Sequence, residues 1–211
     1  MLVSSTMNKR SYRQNCALAL AGDVIGERWS LLLVRDLLVG PRRFRDLTKS
    51  LKGMGTNLLA ARLKALETAE LIERTTQESG MPAYQLTAKG LALEPVVLAL
   101  VRWGLSFGPE NEPGYHHMEE WDLVALKALY QPSLTADLST TVQFRAESFI
   151  GWISIDNGKA NIGLGESSEP DIVIGGTIKN LFTENNAPED LLISGELEIL
   201  HIFKNAFALP A

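Results

Sequence analysis

The order in which apolar spacing changes along the first hundred residues constrains this chain more than any other feature. Apolar residues recur three and four apart through four segments, at 16–25, 29–39, 42–51 and 56–69, which predicts four helices. Gly26, the pair Gly40-Pro41 and the turn Lys52-Gly53-Met54-Gly55 separate them, and Thr56 reads as the N-cap of the fourth. The spacing then switches to alternation at 71–76 and 83–87, around a hairpin tip at 78–82. It returns to helix at 91–107, with Pro95 as a point for a kink. Helices, a β-hairpin and a closing helix, in that order, are the plan of a winged helix-turn-helix.

The fourth helix has two unlike faces. At about 100° per residue, Leu59, Leu63 and Leu66 fall within roughly 60° of one another and form a core stripe. Asn57, Ala61, Lys64 and Thr68 lie opposite. Such a face suits a major groove, since Asn pairs with adenine edges, Ala and Thr methyls touch thymine, and Lys reaches guanine or phosphate. Around it, residues 42–64 hold seven cations, Arg42, Arg43, Arg45, Lys49, Lys52, Arg62 and Lys64, against the single anion Asp46. Their attraction for phosphate is independent of sequence. The candidate DNA contacts are therefore Arg42, Arg43, Thr56, Asn57, Ala61, Arg62 and Lys64, with Gln77 and Ser79 from the wing.

Net charge alone, −5, would argue against such a partner. It conceals a division: residues 1–110 carry 15 Lys+Arg against 10 Asp+Glu, and the remainder carries 5 against 15. A basic half joined to an acidic half predicts two modules with different partners. The segment 108–114, rich in Gly, Pro and Glu, reads as the linker, giving a DNA-binding domain at 1–110 and a second domain at 115–211.

Many spaced positions of the basic half carry a resemblance. Gly26-Glu27-Arg28-Trp29-Ser30-Leu31-Leu32-Leu33, Gly40-Pro41-Arg42-Arg43-Phe44-Arg45-Asp46-Leu47, Leu59-Ala60-Ala61-Arg62-Leu63 and Tyr84-Gln85-Leu86-Thr87-Ala88-Lys89-Gly90 look like the HxlR-type (MarR-like) winged-helix regulators. The resemblance covers residues 14–107. It implies a homodimer built largely by the first and last helices of the module, binding double-stranded operator DNA with dyad symmetry. Some relatives use the cysteine matching Cys16 as an electrophile or oxidant sensor, which makes Cys16 a redox-sensing candidate. Read as a residue, a lone cysteine beside an apolar helix is inert packing. The chain departs from the family pattern at Ala17, where proline is usual, and at Glu70, where glycine is frequent.

The acidic half predicts an α/β module: a helix at 121–130, strands at 140–145, 148–156, 159–164 and 171–176, a helix at 178–183, a strand at 192–197 and a closing helix at 197–209. Asp156-Asn157-Gly158 is a hairpin turn signal. Gly151-Trp152-Ile153, Pro170-Asp171-Ile172-Val173 and Ser194-Gly195-Glu196-Leu197 look similar to sterol-carrier-protein-like domains over residues 120–209. That resemblance implies a sheet covered by helices over an apolar cavity for a small hydrophobic effector, with Phe144, Trp152, Phe182, Phe203 and Phe207 as lining candidates. The same aromatics equally well fill an ordinary core.

Enzyme motifs do not survive inspection. Gly104-Leu105-Ser106-Phe107-Gly108 spells a nucleophile elbow, but it follows a helix where the elbow needs a strand. His116-His117 with Glu119 and Glu120 places neighbours on different sides of the chain, so no metal site is expected, and no cofactor motif is complete. A single cysteine excludes an intrachain disulfide, and no apolar run is long enough to span a membrane. The expectation is a cytoplasmic, dimeric transcriptional regulator, most often a repressor in such families, responsive to a hydrophobic ligand. The alternative is an apolar small-molecule carrier whose winged helix serves dimerisation.

Overall fold

A computed structural model describes residues 11–77, 79–107, 115–134, 138–183, 186–207. The expected linker at 108–114 and the end of the closing helix lie outside the described residues, as does Glu78 at the hairpin tip. The first half runs α1 (Ala17–Ile25), α2 (Ser30–Leu38), α3 (Phe44–Ser50), α4 (Thr56–Thr68), β1 (Ile72–Thr76), β2 (Pro82–Leu86), α5 (Ala88–Leu91) and α6 (Glu94–Leu105). The second runs α7 (Glu120–Leu129), a 3-10 turn at Pro132–Leu134, β3 (Thr140–Ala146), β4 (Phe149–Asp156), β5 (Lys159–Leu164), β6 (Ile172–Gly175), α8 (Ile178–Phe182), α9 (Pro188–Leu191), β7 (Leu192–Ser194) and α10 (Leu197–Lys204).

Two expectations about helix ends are corrected. Gly55, not Thr56, stands at the N-cap of α4 in an extended conformation, and Thr56 is already helical. No kink occurs at Pro95: the helical stretch is interrupted at Ala92-Leu93, and proline occupies the first turn of α6, where its missing N–H has no partner to lose. Glu70, standing where relatives favour glycine, has φ of +60°, a left-handed backbone that glycine enters without strain.

Leu59, Leu63 and Leu66 are fully buried, as the helical period requires, and each contributes about 2 kcal/mol by leaving water. Strands β1 and β2 pair antiparallel with Ile72 opposite Leu86 and Thr76 opposite Pro82, making the wing. In the second half a five-stranded sheet has the order β5-β4-β3-β6-β7, with β3 and β6 parallel and the other pairs antiparallel. Asn157 and Gly158, both at positive φ, close the β4–β5 hairpin.

The buried apolar residues form one cluster running from Leu33 of α2 to Ala206 after α10. Helix α7 joins its parts, packing on α2 and α6 from one side and on β4 and β5 from the other. At the outer strand, the Leu164 N–H donates to the Val39 carbonyl, 3.2 Å away, a main-chain bond from β5 to the end of α2. Among the described residues, no helix is long and apolar enough to cross a membrane.

Candidate nucleic-acid interface

Helix α4 is presented by α3 through the turn 51–55, where Gly53 adopts φ of +89°. Its outward face carries Thr56, Asn57, Ala60, Lys64 and Thr68, all exposed, while Ala61 is half-buried. Ala60 and Leu58 thus belong to the open surface that sequence reasoning had drawn around Ala61. The Thr68 hydroxyl donates back to the Lys64 carbonyl, so its methyl is the part it can offer outward.

The seven expected cations divide into two groups. Arg45, Lys49, Lys52 and Lys64 are exposed and form no ion pair among the described residues, leaving them free to meet phosphate. The other three are committed within the protein. Arg42 turns inward: its Nη2 donates to Glu120 Oε1 at 2.5 Å, and both side chains are about nine-tenths shielded. It is corrected from phosphate contact to buried ion pair, because its partner arrives from a helix 78 residues away. Arg62 reaches back to Glu27 at 2.6 Å and to the Arg28 carbonyl, tying α4 to the turn between α1 and α2. Arg43, half-exposed, donates to Gln77 Oε1 at 2.8 Å and keeps Asp46 at 3.9 Å.

Gln77 opens the turn at the far end of the wing, its side chain reaching back to donate to the Pro41 carbonyl, while Ser79, Gly80 and Met81 are the exposed tip. Arg42 N–H and carbonyl exchange main-chain bonds with Tyr84 of β2, at 2.9 and 2.8 Å. The wing, the α2–α3 turn and the start of α3 are consequently one tied unit.

A polar hub that the sequence reading missed lies behind this surface. Asp36, fully buried, accepts from Arg35, from the Ser50 hydroxyl at the end of α3 and from Trp121 Nε1 at 3.0 Å. Its signal was present: Asp36 stands next to Arg35 among the leucines of α2, and a carboxylate on such a buried helix must have buried donors. On the same helix as Trp121, burial pushes the Asp122 carboxyl up, and His117, 3.2 Å away, partly offsets it.

Cys16 is exposed at the N-cap of α1, not packed as the residue-level reading expected. The backbone N–H groups of Ala19 and Leu18, at the open start of α1, lower its thiol below the ordinary value. Ser106 ends α6 and donates to the Trp103 carbonyl, so it is placed as a helix terminus and not as a nucleophile.

Of the aromatic lining candidates, Phe144 and Phe203 are fully buried, and Phe207 packs on Phe203, Phe182 and Tyr130 at centroid distances of 4.9, 5.8 and 6.0 Å. Phe203 and Phe207 pack on each other and Phe144 is buried in the core of the sheet, so these three are corrected from cavity lining to packing, while Phe182, which meets Phe207 edge-on, is 37% exposed. Trp152 instead lines an open groove of about 450 Å³ shared with Leu37–Pro41, Leu86 and Ile162–Leu164, between the two halves.

A recognition helix backed by a buried leucine stripe, flanked by open cations and a hairpin, defines a winged helix-turn-helix domain. The HxlR-like helix-turn-helix profile matches residues 24–112. The HTH-type transcriptional regulator YodB of Bacillus subtilis is 35% identical over 102 residues, 47% of this chain and 88% of that one. An uncharacterized HTH-type transcriptional regulator of Synechocystis is 35% identical over 91 residues, 42% of this chain and 67% of that one. The solved reduced form of YodB is 31% identical, covers 47% of this chain and all of that one, and superposes with a TM-score of 0.39. The chain belongs to the HxlR-like helix-turn-helix family, whose relatives here are transcriptional regulators and not enzymes.

Proposed function

We propose that the protein is a cytoplasmic transcriptional regulator, a repressor, that binds operator DNA of dyad symmetry as a homodimer. The carrying observation is the outward face of α4, where Asn57 and Lys64 stand exposed beside the unpaired Arg45, Lys49 and Lys52. Asn57 and Lys64 read base edges, Thr56 and Ala61 border them, and the open cations hold phosphates with Ser79 at the wing tip. Arg42, Arg62 and Gln77 act behind this surface, and Arg43 joins it to the wing.

The homodimer is supported by an apolar stripe along α6 and the turn that ends it: Val96, Leu100, Trp103 and Phe107 recur at helical spacing and are 45%, 41%, 64% and 66% exposed. Leu18 and Leu20 of α1 are exposed as well. The five-stranded sheet with its helices is compatible with the sterol-carrier-protein-like reading. A small hydrophobic effector finds its support in the groove beside Trp152 rather than among the packed phenylalanines.

Electrophoretic retardation of the protein's own promoter DNA tests the reading. Asn57→Ala/Lys64→Ala is expected to lower affinity for the retained fragment about a hundredfold, while binding to unrelated DNA changes only slightly. Wild-type binding that is salt-sensitive but blind to sequence would remove the base-reading role.

A thiol response at Cys16 is a second reading, favoured by its exposure and its lowered thiol. Native protein treated with iodoacetamide at pH 7 should be modified at Cys16 and lose operator binding, with Cys16→Ser unaffected. Modification only after denaturation, or without effect on DNA binding, contradicts it.

A further inference from the structure

Two adjacent residues of α7 reach toward the two ends of α3, the helix that carries α4: Glu120 through Arg42 just before its start, and Trp121 through Asp36 of α2, which holds its last residue. Glu120 accepts from Arg42, which stands just before α3 and whose main chain is bonded to Tyr84 of the wing. Trp121 donates to Asp36, which also accepts from Ser50, the last residue of α3. The Arg35 guanidinium lies 4.0 Å from the centroid of the Trp121 indole and holds the ring from one side. Arg42 Nε is buried without a hydrogen-bond partner, so the charge of this guanidinium is answered by Glu120. Removing one member of a shielded ion pair leaves the other uncompensated, which drives local rearrangement.

We propose that Glu120 and Trp121 are positioning residues for DNA reading: the acidic half supplies the two contacts that fix the start and end of α3, and with it the wing. This rests on the regulator reading above. It makes recognition by α4 depend on a helix outside residues 24–112, the span matched by the family profile. A shift of α7 against the sheet is transmitted to α3 at both ends at once, which gives the second half a physical route to the first.

Full-length Glu120→Gln and Trp121→Phe proteins test the proposal, with Glu94→Gln as comparison. Glu94, at the start of α6, pairs with Lys127 of α7 at 2.5 Å, and no ion pair or hydrogen bond joins it to α3 among the described residues. Amide hydrogen exchange in the DNA-free protein is the first readout. Exchange at Arg42 and Tyr84 in Glu120→Gln, and at Ser50 in Trp121→Phe, is expected to rise about tenfold, and to stay unchanged in Glu94→Gln. The second readout is affinity for the protein's own promoter fragment, expected to fall about tenfold in the first two variants only, with binding to unrelated DNA retained. Unchanged exchange at these amides overturns the proposal, and so does an equal response in Glu94→Gln. If exchange rises as stated but the wild type retains no promoter fragment, the regulator reading fails while the positioning of α3 stands.

Discussion

Gly90→Ala should cost at least about 3 kcal/mol of stability and lower the melting temperature by roughly 6–12 °C, read by thermal unfolding of the full chain. A Cβ at Gly90 would stand 2.0 Å from the Leu71 carbonyl oxygen, which already accepts the Thr87 N–H. Backbone cannot yield here as the end of a flexible side chain could. Gly90 also donates its N–H to the Thr87 hydroxyl, and through this cap β2 turns into α5. Relaxation would therefore have to open either the wing or the cap. A variant that melts within a degree or two of wild type would mean that β1 and α5 separate far more easily than their packing indicates.

Trp103→Asp is expected to halve the native mass of the protein and to weaken operator retention at least a hundredfold. A carboxylate at the centre of the α6 stripe would have to lose its water in any interface formed by that stripe. A monomer then meets one half-site at a time, and the gain from engaging two recognition helices together disappears. Trp103 packs edge-to-face on Phe107 and is otherwise exposed, so the single chain should fold as before. Native mass spectrometry and promoter retardation on the same sample decide it. A mass unchanged by the substitution removes the stripe from the interface, and a monomeric wild type removes the interface itself.

What could be read from the sequence follows the range over which its physics acts. Leu59, Leu63 and Leu66 declare their shared face because a helix repeats over three to four residues. The hairpin declares itself because the repeat changes to two at Leu71. The α4 cap was misplaced by one residue, since Thr56 has the preferred side chain but Gly55 has the extended backbone. Charge was legible as density and illegible as commitment. Arg42, Arg43, Arg62 and Lys64 look alike in a list of cations, yet the partners of three of them lie 78, 34 and 35 residues away in the chain. No local pattern encodes such pairings. Aromatic composition failed for a related reason: Phe207 meets Phe203 within the same stretch of chain, but its other ring neighbours, Phe182 and Tyr130, come from α8 and from the end of α7.

The same limit applied to the division of the chain. Opposite net charges mark two modules by composition, and composition says nothing of α7, which packs on both. Asp36 and Glu120 are acidic residues that hold basic or polar groups of the DNA-facing unit from behind. Counting charge by halves therefore overstated how independently the halves behave.

The Leu164–Val39 bond has a consequence for the life of the chain outside its folded state. An outer strand offers its N–H groups to any passing strand, and proteins that leave such edges bare tend to assemble side by side into aggregates. Here the end of α2 supplies a carbonyl to the terminal N–H of β5. The DNA-reading half thereby chaperones the rim of its neighbour's sheet. A second half cut away from α2 by proteolysis would present that rim uncovered beside Ile162 and Leu164, and would be the sticky fragment of the pair.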